Sequence, residues 1–141
     1  MVSEEELRKL SMEIEKLKQA LMYLESQGEE LQKALASLEE TKNSIKALEG
    51  SMDNELYVDI GEGIFMKVKP VSDKLLVKLE DRVIVEKSPE ETIEEIEKGI
   101  ANLKDAIQEI EKKKQELMAK YNETMKKVEE LYRQSMSSGG V

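Results

Sequence analysis

Two stretches of the chain repeat apolar residues at alternating spacings of three and four. Each stretch has twelve positions of this repeat, at residues 7–45 and 93–131, and we call these positions the seam. The apolar seam residues are Leu7, Leu10, Ile14, Leu17, Leu21, Leu24, Leu31, Leu35, Leu38 and Ile45 in the first stretch, and Ile93, Ile96, Ile100, Leu103, Ile107, Ile110, Leu117, Tyr121, Val128 and Leu131 in the second. A sustained seven-residue repeat with a narrow apolar stripe predicts two coiled-coil helices.

Signals for helix ends border both stretches. Ser3 and Glu6 form a capping box before the first stretch, and Gly50 follows it at a position typical of a helix C-terminus. Ser88 with Pro89 starts the second stretch, because serine caps helices and proline fits the first turn. The predicted domain organisation is therefore a helix over 1–50, a connecting module over 51–88, a helix over 89–135 and a flexible tail over 136–141.

The equal lengths of the two stretches predict that the helices fold back on each other within one chain, rather than forming two separate parallel dimers. In the antiparallel register that aligns their ends, Ile45 faces Ile93 and Leu7 faces Leu131. The non-apolar seam positions then face apolar ones, as with Gly28 opposite Ile110 and Lys114 opposite Leu24.

Four short strands are predicted between the helices, at Glu55–Ile60, Ile64–Lys69, Lys74–Leu79 and Arg82–Lys87. Apolar and polar residues alternate along them, which places one apolar row on a single face of a hairpin. The loop Gly61-Glu62-Gly63 predicts a three-residue turn that pairs Ile60 with Ile64, since glycine tolerates positive φ.

Two interpretations of this module remain open: a small self-contained sheet, or an assembly module completed by strands of other chains. Four short strands bury too little apolar surface to be stable alone, and the helical seams are already committed to each other. The assembly module is therefore favoured. Its predicted oligomerisation residues are Leu56, Val58, Ile60, Ile64, Met66, Val68, Leu75, Val77, Leu79, Val83 and Val85.

Composition narrows the possible functions. Charged residues make up 38% of the chain and aromatics 4%, which suits solvated helices better than a globular core. The chain has no cysteine or histidine, so disulfides, zinc sites of the usual type and catalysis by these residues are excluded. The net charge of −9 without a basic patch makes nucleic acid an unexpected partner. No apolar run is long enough for a membrane span and no signal peptide is recognisable, so we expect no membrane partner and a cytoplasmic location.

No motif indicates catalysis, a metal or a cofactor. Gly61-Glu62-Gly63 is not a phosphate loop, because no further glycine, no Lys-Ser/Thr pair and no helix follows it. Paired carboxylates such as Glu90-Glu91 are typical of a solvated first turn. We therefore expect a protein that is not an enzyme.

Five methionines lie off the seam, all in the helical halves farther in sequence from the strands: Met12, Met22, Met118, Met125 and Met136. Residues 27–49 and 89–112 contain neither methionine nor an aromatic. Flexible, polarizable methionine suits a surface that must fit many shapes. The alternative is that these residues are chance occupants of an exposed helix surface.

The order of helix, two β-hairpins and helix resembles the α-class prefoldin subunits of archaeal type. The resemblance is carried by Tyr57–Lys67 (YVDIGEGIFMK) and Val83–Lys87 (VIVEK), and two hairpins rather than one are typical of the α class. It implies an α+β fold: a long antiparallel coiled-coil hairpin whose two β-hairpins form an oligomeric β-barrel.

The resemblance also implies a function. Family members are ATP-independent holdases that assemble as hexamers of two α and four β subunits, capture unfolded proteins with the ends of their coiled coils, and pass them to a group II chaperonin. The implied client-binding residues here are Leu7, Leu10, Met12, Met125, Val128, Leu131, Tyr132 and Met136.

Two other functions stay open. Some archaeal prefoldin-like subunits polymerise through their hairpins into filaments without a partner subunit. A generic antiparallel coiled-coil adaptor for one folded protein would also fit the helical repeats.

Overall fold

The computed structural model describes residues 4–139, with side chains described for residues 4–136. The elements are α1 (Glu4–Leu48), β1 (Leu56–Gly61), β2 (Ile64–Val68), β3 (Leu75–Glu80), β4 (Val83–Lys87) and α2 (Pro89–Gly139). Two compact units are present. Unit 1 contains the chain up to Lys33 and from Lys104 onward, and unit 2 is Ala34–Leu103. Neither helix has an apolar stretch that could cross a membrane within the described residues.

The helix ends lie close to the predicted positions. α1 ends at Leu48, and Gly50 has a φ of +76°, the left-handed conformation that terminates helices. The amide of Ser51 donates to the carbonyl of Leu48 at 3.2 Å. At the start of α2, the Ser88 hydroxyl accepts a hydrogen bond from the amide of Glu91 at 3.1 Å, so the predicted cap is confirmed. The other predicted cap, Ser3, lies outside the described residues.

The seam forms the core of unit 1. Every predicted seam position in this unit is buried or partly buried, with Leu17 and Leu24 each only 9% exposed. A Cβ placed on Gly28 would lie 3.7 Å from Cγ2 of Ile110, which confirms the predicted pairing of these two positions. Lys114 reaches sideways out of the seam, with its Nζ 3.4 Å from Oε2 of Glu25. The amine thereby stays near water while its stem covers apolar surface.

The same packing continues in unit 2. Ile45, Ile93 and Ile100 are each 9% exposed or less. Lys42 is the other lysine of the seam, and its Nζ pairs with Oε1 of Glu97 at 3.1 Å. Among the side chains described, none is fully buried, as expected when only one row of each helix packs.

The four predicted strands are confirmed, with bounds shifted by one residue at most ends, and they form two separate two-stranded sheets, β1-β2 and β3-β4. One detail of the first hairpin was wrong. Ile64 pairs with Gly61 instead of Ile60, and the register shifts between Asp59 and Gly61. A two-residue turn with positive φ at Glu62 (55°) and Gly63 (75°) closes the hairpin, so the extra residue is absorbed as a β-bulge.

The second hairpin has the same kind of register shift, but its turn contains no glycine and only one residue with positive φ. Glu80 pairs with Val83, the register shifts between Lys78 and Glu80, and Arg82 takes a φ of +72°. A non-glycine residue in this conformation is strained by about 1–3 kcal/mol, and only its surroundings keep it there.

The predicted boundary of the C-terminal helix also differs from the structure. α2 continues to Gly139, whereas the flexible tail was predicted to begin at residue 136. Serine weakens a helix only modestly and no proline interrupts this segment, so the hydrogen bonding of the preceding turns continues. Residues 140–141 lie outside the described part of the chain.

Candidate assembly and client-binding surfaces

The predicted assembly row runs along both hairpins and is only partly covered, and its members Ile60 and Leu79 lie at the two register shifts. Five of its residues are partly buried: Leu56, Val68, Leu75, Val77 and Val85. The other six are exposed by about half of their surface: Val58 (46%), Ile60 (61%), Ile64 (58%), Met66 (54%), Leu79 (55%) and Val83 (49%). The partly buried residues cluster at the ends of the strands nearest the helices, and the exposed ones lie toward the turns.

The reverse faces of the hairpins are apolar as well, which the sequence interpretation missed. Tyr57 and Phe65 are exposed by 65% and 59% in the first hairpin, and Leu76 and Ile84 by 71% and 60% in the second. The available signal was the unbroken runs Leu75-Leu76-Val77 and Val83-Ile84-Val85. Continuous apolar runs are typical of strands that are buried on both faces.

Free strand edges accompany these faces. Because each sheet has only two strands, every strand has one edge whose backbone amides and carbonyls have no strand partner within the described residues. Such edges pair readily with strands of another chain. The arrangement offers three kinds of unpaired surface together: an apolar row, a second apolar face and open edges.

The predicted client-binding residues of unit 1 fall into two groups. Met12, Met125, Tyr132 and Met136 are exposed by 58%, 37%, 57% and 76%, so they are accessible as the chain stands. The others are partly buried in the seam: Leu7, Leu10, Val128 and Leu131. These four contact solvent fully only if the ends of the helices separate.

A shallow groove with charged walls runs beside the seam in this part of unit 1. Leu10 and Leu131 form its floor, and its walls are Glu6, Lys9, Glu13, Lys127, Glu130 and Gln134. Three further exposed side chains in unit 1 were not among the predicted site residues: Met22 (72%), Tyr23 (63%) and Met118 (49%). Their apolar character was visible in the sequence, but whether they touched the partner helix was not.

The described residues contain no group of three or more acidic side chains placed to hold a metal ion. The exposed residues of these surfaces offer apolar contact, backbone pairing at strand edges and charge–charge attraction.

Comparison with known proteins identifies the family. The family model described as "Prefoldin subunit" matches residues 17–134, which is most of the chain. The chain belongs to the prefoldin subunit family. Prefoldin subunit alpha 1 of Methanocaldococcus jannaschii is 36% identical over 103 residues, covering 72% of this chain and 70% of that protein. These matches confirm the resemblance to α-class prefoldin subunits.

A solved structure is also similar to this prefoldin subunit. A chain from the cryo-EM structure of filamentous PFD from Methanocaldococcus jannaschii is 26% identical, with 89% of this chain and 99% of that chain covered and a TM-score of 0.46. Because this TM-score is low, the family assignment rests on the sequence matches alone. The α+β architecture of two long helices and two hairpins is confirmed for this α-class subunit, whereas the oligomeric barrel stays a prediction.

Proposed function

We propose that this α-class prefoldin subunit acts as part of an ATP-independent holdase in the cytoplasm. Its hairpins combine with those of β-class subunits in a hexamer of two α and four β chains, with the strands closed into a β-barrel. The assembly captures unfolded proteins through unit 1 and releases them to a group II chaperonin.

The observation that carries this proposal is the exposure of the hairpins on both faces. Side chains such as Val58, Ile64 and Leu79 are about half exposed, although their strands are paired in hairpins. Two-stranded sheets are marginal in water without a covering layer. The helices border only part of the hairpins, at Leu75–Val77, because most of their apolar rows are packed against each other. Strands from other subunits supply it, and barrel closure removes the open edges at the same time.

Client binding is assigned to unit 1 because the exposed methionines of the helices lie there. Met12, Met125 and Met136 combine large exposed surface with a flexible side chain that adapts to irregular partners. Each contact is weak, but several subunits around one client increase the effective affinity through avidity. An adaptor for one folded partner would instead need a fixed, shape-complementary patch.

The proposal is tested by mixing the purified protein with a β-class prefoldin subunit and following aggregation of a chemically denatured client by light scattering. We expect the mixture to suppress aggregation at a near-stoichiometric ratio, for several unrelated clients and without nucleotide. Suppression restricted to a single client would favour the adaptor, and no suppression by any mixture would refute the holdase.

A further inference from the structure

A second row of uncharged side chains runs along α2 beside the seam of unit 1. It keeps the alternating spacing of three and four, and its members are Gln115, Met118, Asn122, Met125, Tyr132 and Met136. All six are exposed, and we call this row the second seam. Only one position within it is charged, Glu129.

The opposite flank of the same helical segment shows what an ordinary solvated surface looks like in this chain. The residues there, at the same alternating spacing, are Glu116, Lys120, Glu123, Lys127 and Glu130. Every one of them is charged, and opposite charges lie four residues apart, which favours the isolated helix. Over the same span the opposite flank is charged at every position except its last, Gln134, whereas the second seam is uncharged at every position except Glu129. The second seam is therefore a distinct surface.

The position of the second seam relative to α1 follows from the ion pairs around Lys114. Its Nζ lies 3.4 Å from Glu25 on α1 and 4.0 Å from Glu111 on α2. Glu111 precedes Met118 by one seven-residue repeat and therefore lies in the same row along the helix. The second seam thus faces outward along the line where α1 and α2 meet, which is where a third helix packs in a helical bundle.

The spacing of the anchors selects a helix as the occupant. Met118, Met125 and Tyr132 are seven residues apart, which corresponds to about 10 Å between anchors at 1.5 Å per residue. A second helix with a heptad stripe presents side chains at the same interval. An extended chain presents side chains on one face about every 7 Å and does not match this interval.

Charge restricts the occupant further. The outer border of the second seam is formed at seven-residue intervals by Lys112, Ala119, Lys126 and Arg133. No ion-pair partner of these three cations exists within the part of the chain that the structure describes. An acidic border on the incoming helix would satisfy them, whereas α2 of a second copy would bring the same cations against them.

We propose that the second seam binds a client segment as an amphipathic α-helix with Asp or Glu beside its apolar stripe. This inference rests on the proposed function, because it specifies which client segments the holdase retains. It makes the holdase selective for one kind of secondary structure in addition to general apolar capture.

The test uses three fluorescent peptides of three heptads each, titrated with the full-length protein and followed by anisotropy. The first has leucine at the heptad core positions and glutamate beside them, the second has the same composition in shuffled order, and the third has lysine in place of each glutamate. We expect the first to bind at least about tenfold more tightly than either control, since both apolar register and border charge are required. Its helicity by circular dichroism should increase on binding.

Matched variants locate the site. Met125→Gln with Tyr132→Gln should weaken binding of the acidic helical peptide by about tenfold or more. Tyr23→Gln changes a similarly exposed tyrosine elsewhere in unit 1 and should leave this binding unchanged. Lys126→Glu with Arg133→Glu should weaken binding of the acidic peptide and strengthen binding of the basic peptide. Each change in affinity should be about two- to fivefold per reversed cation.

Lys113→Glu with Lys120→Glu changes the net charge equally on the opposite flank and should leave the binding of both peptides unchanged. Circular dichroism of each variant confirms that helicity is kept, so that a loss of binding is not a loss of folding.

Several outcomes would overturn the inference while leaving the proposed function intact. These are equal binding of the shuffled peptide, binding without a gain in helicity, or equal effects of the two charge-reversed variants, provided that aggregation of denatured clients is still suppressed. A lower oligomeric mass of Met125→Gln with Tyr132→Gln would also overturn it, because the second seam would then be a contact between subunits. Failure of the unchanged protein to protect any client would refute the proposed function itself.

Discussion

Placing charge in the assembly row should dissolve the oligomer and leave the helices paired. The double variant Val58→Lys with Val77→Lys alters one strand in each hairpin. Val58 lies opposite Met66 and Val77 lies opposite Val85, so each lysine replaces one member of an apolar cross-strand pair. Val58 is about half exposed, whereas Val77 is partly buried and lines a cavity with the seam residues Leu38, Ile45 and Ile96.

The expected size of the effect follows from burial. Val58 still exposes 46% of its surface, so completing its burial in an assembly contributes roughly half of the ~1.5–3 kcal/mol for a whole valine side chain. An ammonium group forced into the same place costs several kcal/mol more unless it bends back to water. A net loss of at least about 3 kcal/mol at one hairpin weakens association by more than about a hundredfold. The second substitution increases the loss further.

Sedimentation velocity and far-ultraviolet circular dichroism measure the two halves of this prediction. The variant should sediment as a monomer at concentrations where the unchanged protein with its β-class partner is fully assembled, and its helical signal should be nearly unchanged. Val71→Lys makes the same chemical change at a position that is 98% exposed and should assemble normally. An intact oligomer in the double variant would refute the assembly role of the row, and a collapse of helicity would show that the hairpins are needed for the coiled coil.

The remaining predictions concern client binding, nucleotide and the helices. Deleting residues 1–12 together with 126–141 should abolish suppression of client aggregation while light scattering shows an unchanged number of subunits; full protection by the truncated assembly would contradict this. Adding ATP without a chaperonin should not alter protection, and a clear dependence would reveal an unrecognised nucleotide site. Gly28→Ala should raise the free energy of unfolding by about 0.5–1 kcal/mol in urea titration, because the added methyl meets Ile110 at an ordinary contact distance of 3.7 Å; destabilisation would mean that the seam is tighter there. Ser88→Ala should lower the free energy of unfolding by about 1 kcal/mol, because the cap at the start of α2 is lost. No change would show that the hydrogen bond from the amide of Glu91 is dispensable.

The coiled coil was predictable from the sequence because its determinants are local and periodic. A single row of leucine and isoleucine dictates which side of each helix is buried, and equal row lengths dictate the antiparallel register that Gly28 and Ile110 confirm. Lys42 and Lys114 looked like interruptions of the row. Their long side chains allow them to occupy it while the charge pairs with Glu97 or Glu25 at the edge.

The hairpins were predictable as elements but less so in their details. Alternation in the first hairpin indicated one apolar face, but it did not indicate that Tyr57 and Phe65 also make the other face apolar. The bulge at Ile60 depends on backbone angles at Glu62 and Gly63 that residue types only partly restrict. The roles of the client-binding residues stay predictions, since exposure shows that a side chain is available and leaves its partner undefined.

The central claim is that the hairpins of this α-class subunit are completed by strands of β-class subunits. Native mass spectrometry of the protein alone, and again after mixing with a β-class prefoldin subunit, tests it most directly. The account predicts a discrete hexamer of two α and four β chains in the mixture and no comparable closed complex of the α-class chain by itself. Long homopolymers of this chain alone, unchanged when the β-class subunit is added, would contradict it.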